Sequence, residues 1–166
     1  MFRRIGQKDI GNIKTPKEAV EYAKDIGKPV PELESIIAED PGYSYCYAVY
    51  MIKGRFEEGE KAIAQDPKLS CYYAKYAIEG RFEKGEKAIA QDPELSYEYA
   101  RDVIKSRFEK GEGSIAQDPE LSYWYAVDVI KGRFEEGEKA IFQSPKWDKE
   151  YAKEFAKEFA KDFGLE

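Results

Sequence analysis

The side chains of this chain that could do chemistry are carboxylates, guanidinium groups, phenols and two thiols. Histidine is absent, which removes the commonest general base and metal ligand. Gly-rich phosphate loops, paired Cys or Cys/His metal spacings and nucleophile motifs are absent as well. The carboxylates recur along the chain and do not converge. Pairs such as Glu57-Glu58 return at positions expected to be exposed, which reads as a solvated face and not as general acid–base machinery. Glu34, Glu60, Glu86, Glu112 and Glu138 recur at set places, and so do Arg55, Arg81, Arg107 and Arg133. A ligand site is seldom copied four times. These residues therefore read as a ladder of ion pairs or hydrogen bonds to backbone, one rung per unit. We expect no enzyme activity, no cofactor and no metal.

More informative are the positions that the copies do not share. Cys46, Tyr72, Glu98 and Trp124 occupy one of them; Val49, Lys75, Arg101 and Val127 a second; Tyr50, Tyr76, Asp102 and Asp128 a third. The framework is held fixed while these residues change. They are rich in aromatics where solvent favours charge, and aromatics beside Arg are enriched at interface hot spots. The competing reading is drift at unconstrained sites, or packing against neighbouring helices. A patch of this kind usually has a use, and the expectation is a partner-binding strip.

The elements that must position this strip are repeats. GRFEEGEKAIAQDP begins at Gly54 and returns, with changes, from positions 80, 106 and 132, a constant step of 26. The dipeptide Tyr-Ala gives the register, with its alanines at Ala23, Ala48, Ala74, Ala100, Ala126 and Ala152; the first step is 25 and the rest are 26. Seven residues before each stands a Pro, and before that Thr15, Asp40, Asp66, Asp92, Asp118 or Ser144. A capping side chain followed by Pro is a strong helix start. The spacing predicts repeats over 15–39, 40–65, 66–91, 92–117 and 118–143, each a pair of short helices, A and B, in one domain spanning 1–166.

Helix A is expected from the Pro for about a dozen residues, as in Pro67–Glu79, ended by Gly54, Gly80 or Gly132, with Ser106 as the exception. In unit 3 its apolar face is Leu69, Tyr73, Ala74, Ala77 and Ile78. Helix B is expected over stretches such as Phe82–Gln91, and over Val30–Glu39 in unit 1, where Val30 takes the Phe slot and Ile37 the Ile slot. Gly59, Gly85, Gly111 and Gly137 keep a mid-helix glycine despite its cost of about 0.5–1 kcal/mol, which implies close helix approach. Unit 1 lacks one residue near Gly27. Met1–Lys14 reads as a short cap, and 144–164 as one longer capping helix with Tyr151, Phe155, Phe159 and Phe163 on one face.

Charge is high and mixed, with a net −6, which argues weakly against non-specific nucleic-acid binding. Cys46 and Cys71 sit out of register in neighbouring units and read as free thiols. Neither a signal peptide nor a membrane-length apolar run is present, so a cytoplasmic location is expected.

The unit DPELSYEYARDVIKSRFEKGEGSIAQ, Asp92–Gln117, resembles the short tandem helix-pair repeats of often phage-encoded proteins, and is loosely similar to other short alpha-solenoids. The resemblance covers about residues 40–145 and implies fold but no activity. Unit 1 departs from the pattern, as does Glu112-Gly113-Ser114 where other copies read Glu-Lys-Ala, which puts the local B-helix geometry in question. The expectation is an all-α alpha-solenoid of about six repeats that works as a non-enzymatic protein-binding scaffold, with a homo-oligomer as a variant. If the phage association holds, its partner would be a host protein such as a defence component. Two alternatives are single-stranded nucleic-acid binding by stacking of one base per repeat and inhibition by DNA mimicry.

Overall fold

Helix starts set the frame of this computed structural model, which describes residues 10–156 and 158. Asp40, Asp66, Asp92 and Asp118 have extended backbone. Each carboxylate accepts the N–H three residues on, from Tyr43, Leu69, Leu95 and Leu121, at 2.8–2.9 Å. Thr15 does the same for Glu18 at 3.3 Å. Such a cap contributes about 1 kcal/mol. Ser144 is extended as well, but its hydroxyl makes no capping bond, so the last start rests on Pro145 and packing.

Among the described residues the chain is all-α, with no strand. Five A–B pairs stack in chain order, and Pro145–Glu154 follows as a single helix. Successive A helices touch one another, and so do successive B helices. This is the helical tandem repeat that the sequence predicts.

The A helix is α over Pro16–Ile26 in unit 1. In the later units it is α only over Pro41–Tyr47, Pro67–Tyr73, Pro93–Glu98 and Pro119–Tyr125. It then widens into a π turn over Ala48–Ile52, Ala74–Ile78, Tyr99–Ile104 and Ala126–Ile130. One residue explains the difference. In unit 1 the left-handed Gly27 closes on the carbonyl of Ala23, whereas in unit 2 the left-handed Lys53 and then Gly54 both close on Ala48. The extra residue is absorbed as a π bulge, which is why the first repeat step is shorter than the rest.

The expected helix-ending glycines need correcting. Gly54, Gly80 and Gly132 are not left-handed; the residue before each is, Lys53, Glu79 and Lys131 at φ of 56, 53 and 55°, and so is Lys105 before Ser106 at 50°. Ser106 fits the glycine position because the left-handed conformation falls one residue earlier.

The B helix is shorter than expected. In unit 3 it is a 3₁₀ turn over Glu83–Gly85 that runs into α over Glu86–Ile89. Units 1 and 2 repeat this with Pro31–Leu33 and Glu34–Ile37, then Glu57–Gly59 and Glu60–Ile63. Units 4 and 5 are α over Glu109–Ile115 and Glu135–Phe142, so Gly113 and Ser114 leave the helix intact. The glycine of this turn is a spacer. A Cβ on Gly85 would lie 2.6 Å from both Ser70 Cβ and the Phe82 ring, so only glycine lets the B helix rest on its A helix.

The core is a row of buried rings, Tyr47, Tyr73, Tyr99, Tyr125 and Tyr151 alternating with Phe56, Phe82, Phe108 and Phe134. Within a unit the two rings meet edge to face, as Tyr73 and Phe82 do at 5.0 Å, worth about 0.5–1.5 kcal/mol beyond burial. The far end breaks the expected single helix. It stops at Glu154, and Phe155 turns out of it to seat its ring 4.8 Å from Tyr151. That bend lets the Glu158 carboxylate accept the Arg133 N–H at 3.3 Å. Phe159 and Phe163 lie outside the described residues, as do residues 1–9 of the expected N-terminal cap. Ile10–Asn12 is a 3₁₀ turn, and Ile13 is buried.

Candidate functional site

Two sets of polar side chains run along the stack. The first is the ladder, which is built into the interior. Glu86 is fully buried and joins two units. It accepts from Arg81 Nε at 2.6 Å in its own unit, and from Lys110 Nζ at 2.6 Å and the Tyr99 hydroxyl at 3.3 Å in the next. The same hydroxyl accepts the Phe82 N–H at 2.9 Å. Burial alone would raise the Glu86 carboxyl, but Arg81 and Lys110 outweigh it and hold the group below its ordinary value. Glu60 repeats the rung with Arg55, Lys84 and Tyr73. At the next junction Glu136 stands where Lys110 would be, and Glu112 relies on both Arg107 nitrogens, at 2.7 and 2.8 Å, and on Tyr125. The sequence shows Arg and Glu in this role; the Tyr and Lys members appear only in three dimensions. Burial, the largest influence, pushes the Tyr73 phenol up to about 12.

The second set is the variable strip on the A helices. Val49 and Tyr50, Lys75 and Tyr76, Arg101 and Asp102, and Val127 and Asp128 all fall on the π turns, which lie side by side. Cys46, Tyr72, Glu98 and Trp124 sit one turn earlier. Tyr50, Tyr76 and Trp124 are 62, 52 and 38 % exposed. Arg101 and Asp128 are exposed; Cys46, Val49, Tyr72, Lys75, Glu98, Asp102 and Val127 are half-buried.

Several of these residues bind each other across units. Lys75 Nζ donates to Glu98 at 2.7 Å and to Asp102 at 2.8 Å. Arg101 takes the same Asp102 with two nitrogens, at 2.6 and 3.0 Å. Arg101, and with it Lys75, hold the Asp102 carboxyl well below the usual range against the opposing effect of burial. Tyr97 was not among the expected residues, yet it completes the network: its ring stacks under Arg101 at 4.8 Å and its hydroxyl donates to Asp128. The signal was present, because its equivalents Tyr45, Cys71 and Tyr123 also vary. Tyr72 and Tyr76 meet edge on at 5.8 Å, with Lys68 and Lys75 over their rings. Trp124 lies 6.0 Å from Trp147 of the last helix, a second residue outside the expected set.

Shallow grooves separate the A helices. One lies between units 3 and 4, lined by Lys68, Tyr72, Glu94 and Glu98; the next by Glu94, Tyr97, Arg101, Glu120 and Trp124. Both cysteines are free, and burial pushes the Cys71 thiol up to about 12. Among the described residues no cluster of metal-ligating side chains occurs, and no helix is long and apolar enough to cross a membrane. Compared with known proteins, the chain matches no family model, no curated protein and no solved structure.

Proposed function

We propose that the protein is a non-enzymatic binding scaffold whose A-helix strip recognises a partner protein. The observation that carries this reading is the placing of the variable pairs on stacked π turns. Inserted residues of this kind are frequent at functional sites, and here they bring Tyr50 and Tyr76 to the surface with more than half of each side chain in solvent. The ladder beneath supports them without using them. The resemblance to phage-borne repeats extends the reading to a small acidic binder that occupies a host protein, such as a defence component. Capture of host proteins on the immobilised chain, read by mass spectrometry, tests it. Tyr76→Ala with Trp124→Ala should leave the helical circular-dichroism signal intact and abolish capture. A capture profile unchanged by both substitutions would refute the strip.

A further inference from the structure

The strip changes character half-way along. One, five, eight and nine residues after each Pro, units 2 and 3 carry Lys68, Lys75, Tyr50, Tyr72 and Tyr76 and no carboxylate. At the same places units 4 and 5 carry Glu94, Glu98, Asp102, Glu120 and Asp128 against the single Arg101. Glu98 and Asp102 are bound by Lys75, and Asp128 by Tyr97. Glu94 and Glu120 are exposed and form no ion pair among the described residues. They stand on either side of the groove whose walls include Tyr97 and Trp124. A carboxylate in the first turn favours a helix by about 0.3–1 kcal/mol. Lys68 and Lys146 occupy the same position in their units, so the scaffold does not require an acid there.

We infer that this groove takes an arginine side chain from an extended basic segment of the partner, with an apolar residue of that segment seated over Tyr72 and Tyr76. This rests on the partner-binding reading above and adds the chemistry of the partner. A guanidinium is planar, stacks on aromatic faces and forks to carboxylates, which matches the Trp124 ring flanked by Glu94 and Glu120; the Tyr97 ring is already covered by Arg101, which also lines the groove. Contacting helices lie about 8–10 Å apart, so Trp124 and Tyr72, two units apart, are separated by roughly 16–20 Å. An extended chain advances about 3.3 Å per residue. The arginine therefore stands about five or six residues from its apolar anchor. The net charge of −6 steers a basic segment toward the surface.

Selection of random linear peptides displayed on phage, with the full chain as bait, tests the proposal, followed by fluorescence polarisation of the enriched sequences. Enriched peptides should carry Arg with an aliphatic or aromatic residue about five or six positions away. Glu94→Lys with Glu120→Lys should weaken them about tenfold, as two exposed charge contacts are reversed, and Arg→Glu in the peptide should abolish binding. Lysine at the equivalent places in units 3 and 6 shows that these positions accept it. Enriched peptides without a basic residue, or affinity indifferent to the two Glu→Lys changes, would overturn the basic occupant. If Tyr76→Ala still abolished the binding of those peptides, the strip itself would stand. Failure to enrich any peptide, while host-protein capture still depends on Tyr76 and Trp124, would overturn the basic segment alone. Loss of both results would remove the strip as well. Tight binding of single-stranded RNA at low salt would also overturn the inference, because this groove repels phosphate.

Discussion

The ladder and the strip are made from much the same residues, Tyr, Glu, Arg and Lys, yet they behave oppositely from unit to unit. The difference is burial. Glu60, Glu86 and the Tyr hydroxyls of the ladder are out of water. An unpartnered group there costs about 1–3 kcal/mol, so every unit repeats nearly the same solution. The strip lies at the surface, where an exposed ion pair is worth about 0–1 kcal/mol, and each unit carries different side chains. Internal sameness marks where the stack is held together, and internal difference marks where it is free to be specific.

The largest effect that would break this contrast is in the core. Phe82→Ala should cost about 3–5 kcal/mol in urea denaturation followed by circular dichroism, because the ring is buried against Tyr73 and Gly85. A change below about 1 kcal/mol would mean that the units do not depend on their shared rings. Tyr99→Phe keeps the ring but strips the Phe82 N–H of its acceptor and Glu86 of a donor. A loss of about 1–3 kcal/mol is expected by the same measurement.

Deleting Tyr76 should cost less than either. It would return unit 3 to the length of unit 1, which closes its A helix without a π turn. Retained helicity with loss of partner capture would sharpen the contrast, and global unfolding would show that the bulge is part of the framework. Acid should act on the ladder. The Glu86 and Glu112 carboxyls are held below their ordinary values. Their contribution is therefore present above the usual glutamate range, about 4.3, and is lost as pH falls through the lower folded-state values. Thermal melts at falling pH should show this decline, weaker in Glu86→Gln. The smallest effect is expected at the surface: Tyr76→Ala should shift stability by less than about 0.5 kcal/mol.

The repeat step, the Asp-Pro starts, the buried Tyr and Phe rows and the spacer glycines could all be read along the chain, because each depends on local propensity or on a periodicity that sequence carries directly. Gly85 illustrates this: a glycine kept where it costs helix stability implies a close neighbour, and the neighbour is Ser70. The left-handed Lys53, Glu79, Lys105 and Lys131 could not be read so, because nothing in a Lys or Glu announces positive φ. The strip residues were found from their variability, but not the bonds that Lys75 and Arg101 make with Glu98 and Asp102. The Lys75 bonds join residues on different A helices and depend on how one unit sits on the next, and Arg101 turns to its neighbour Asp102 beside that same lysine.

By itself the sequence determined an all-α tandem repeat, its register and its inward faces, since helix caps and apolar periodicity act over a few residues. Tertiary structure decided the rest. It turned one inserted residue in each of units 2 to 5 into a π turn, brought Tyr and Lys to a glutamate contributed by the neighbouring unit, and left Glu94 and Glu120 without an ion pair among the described residues, beside Trp124. Each of these depends on the stacking of one helix against the next, and that geometry is set by packing between units that no single stretch of chain contains.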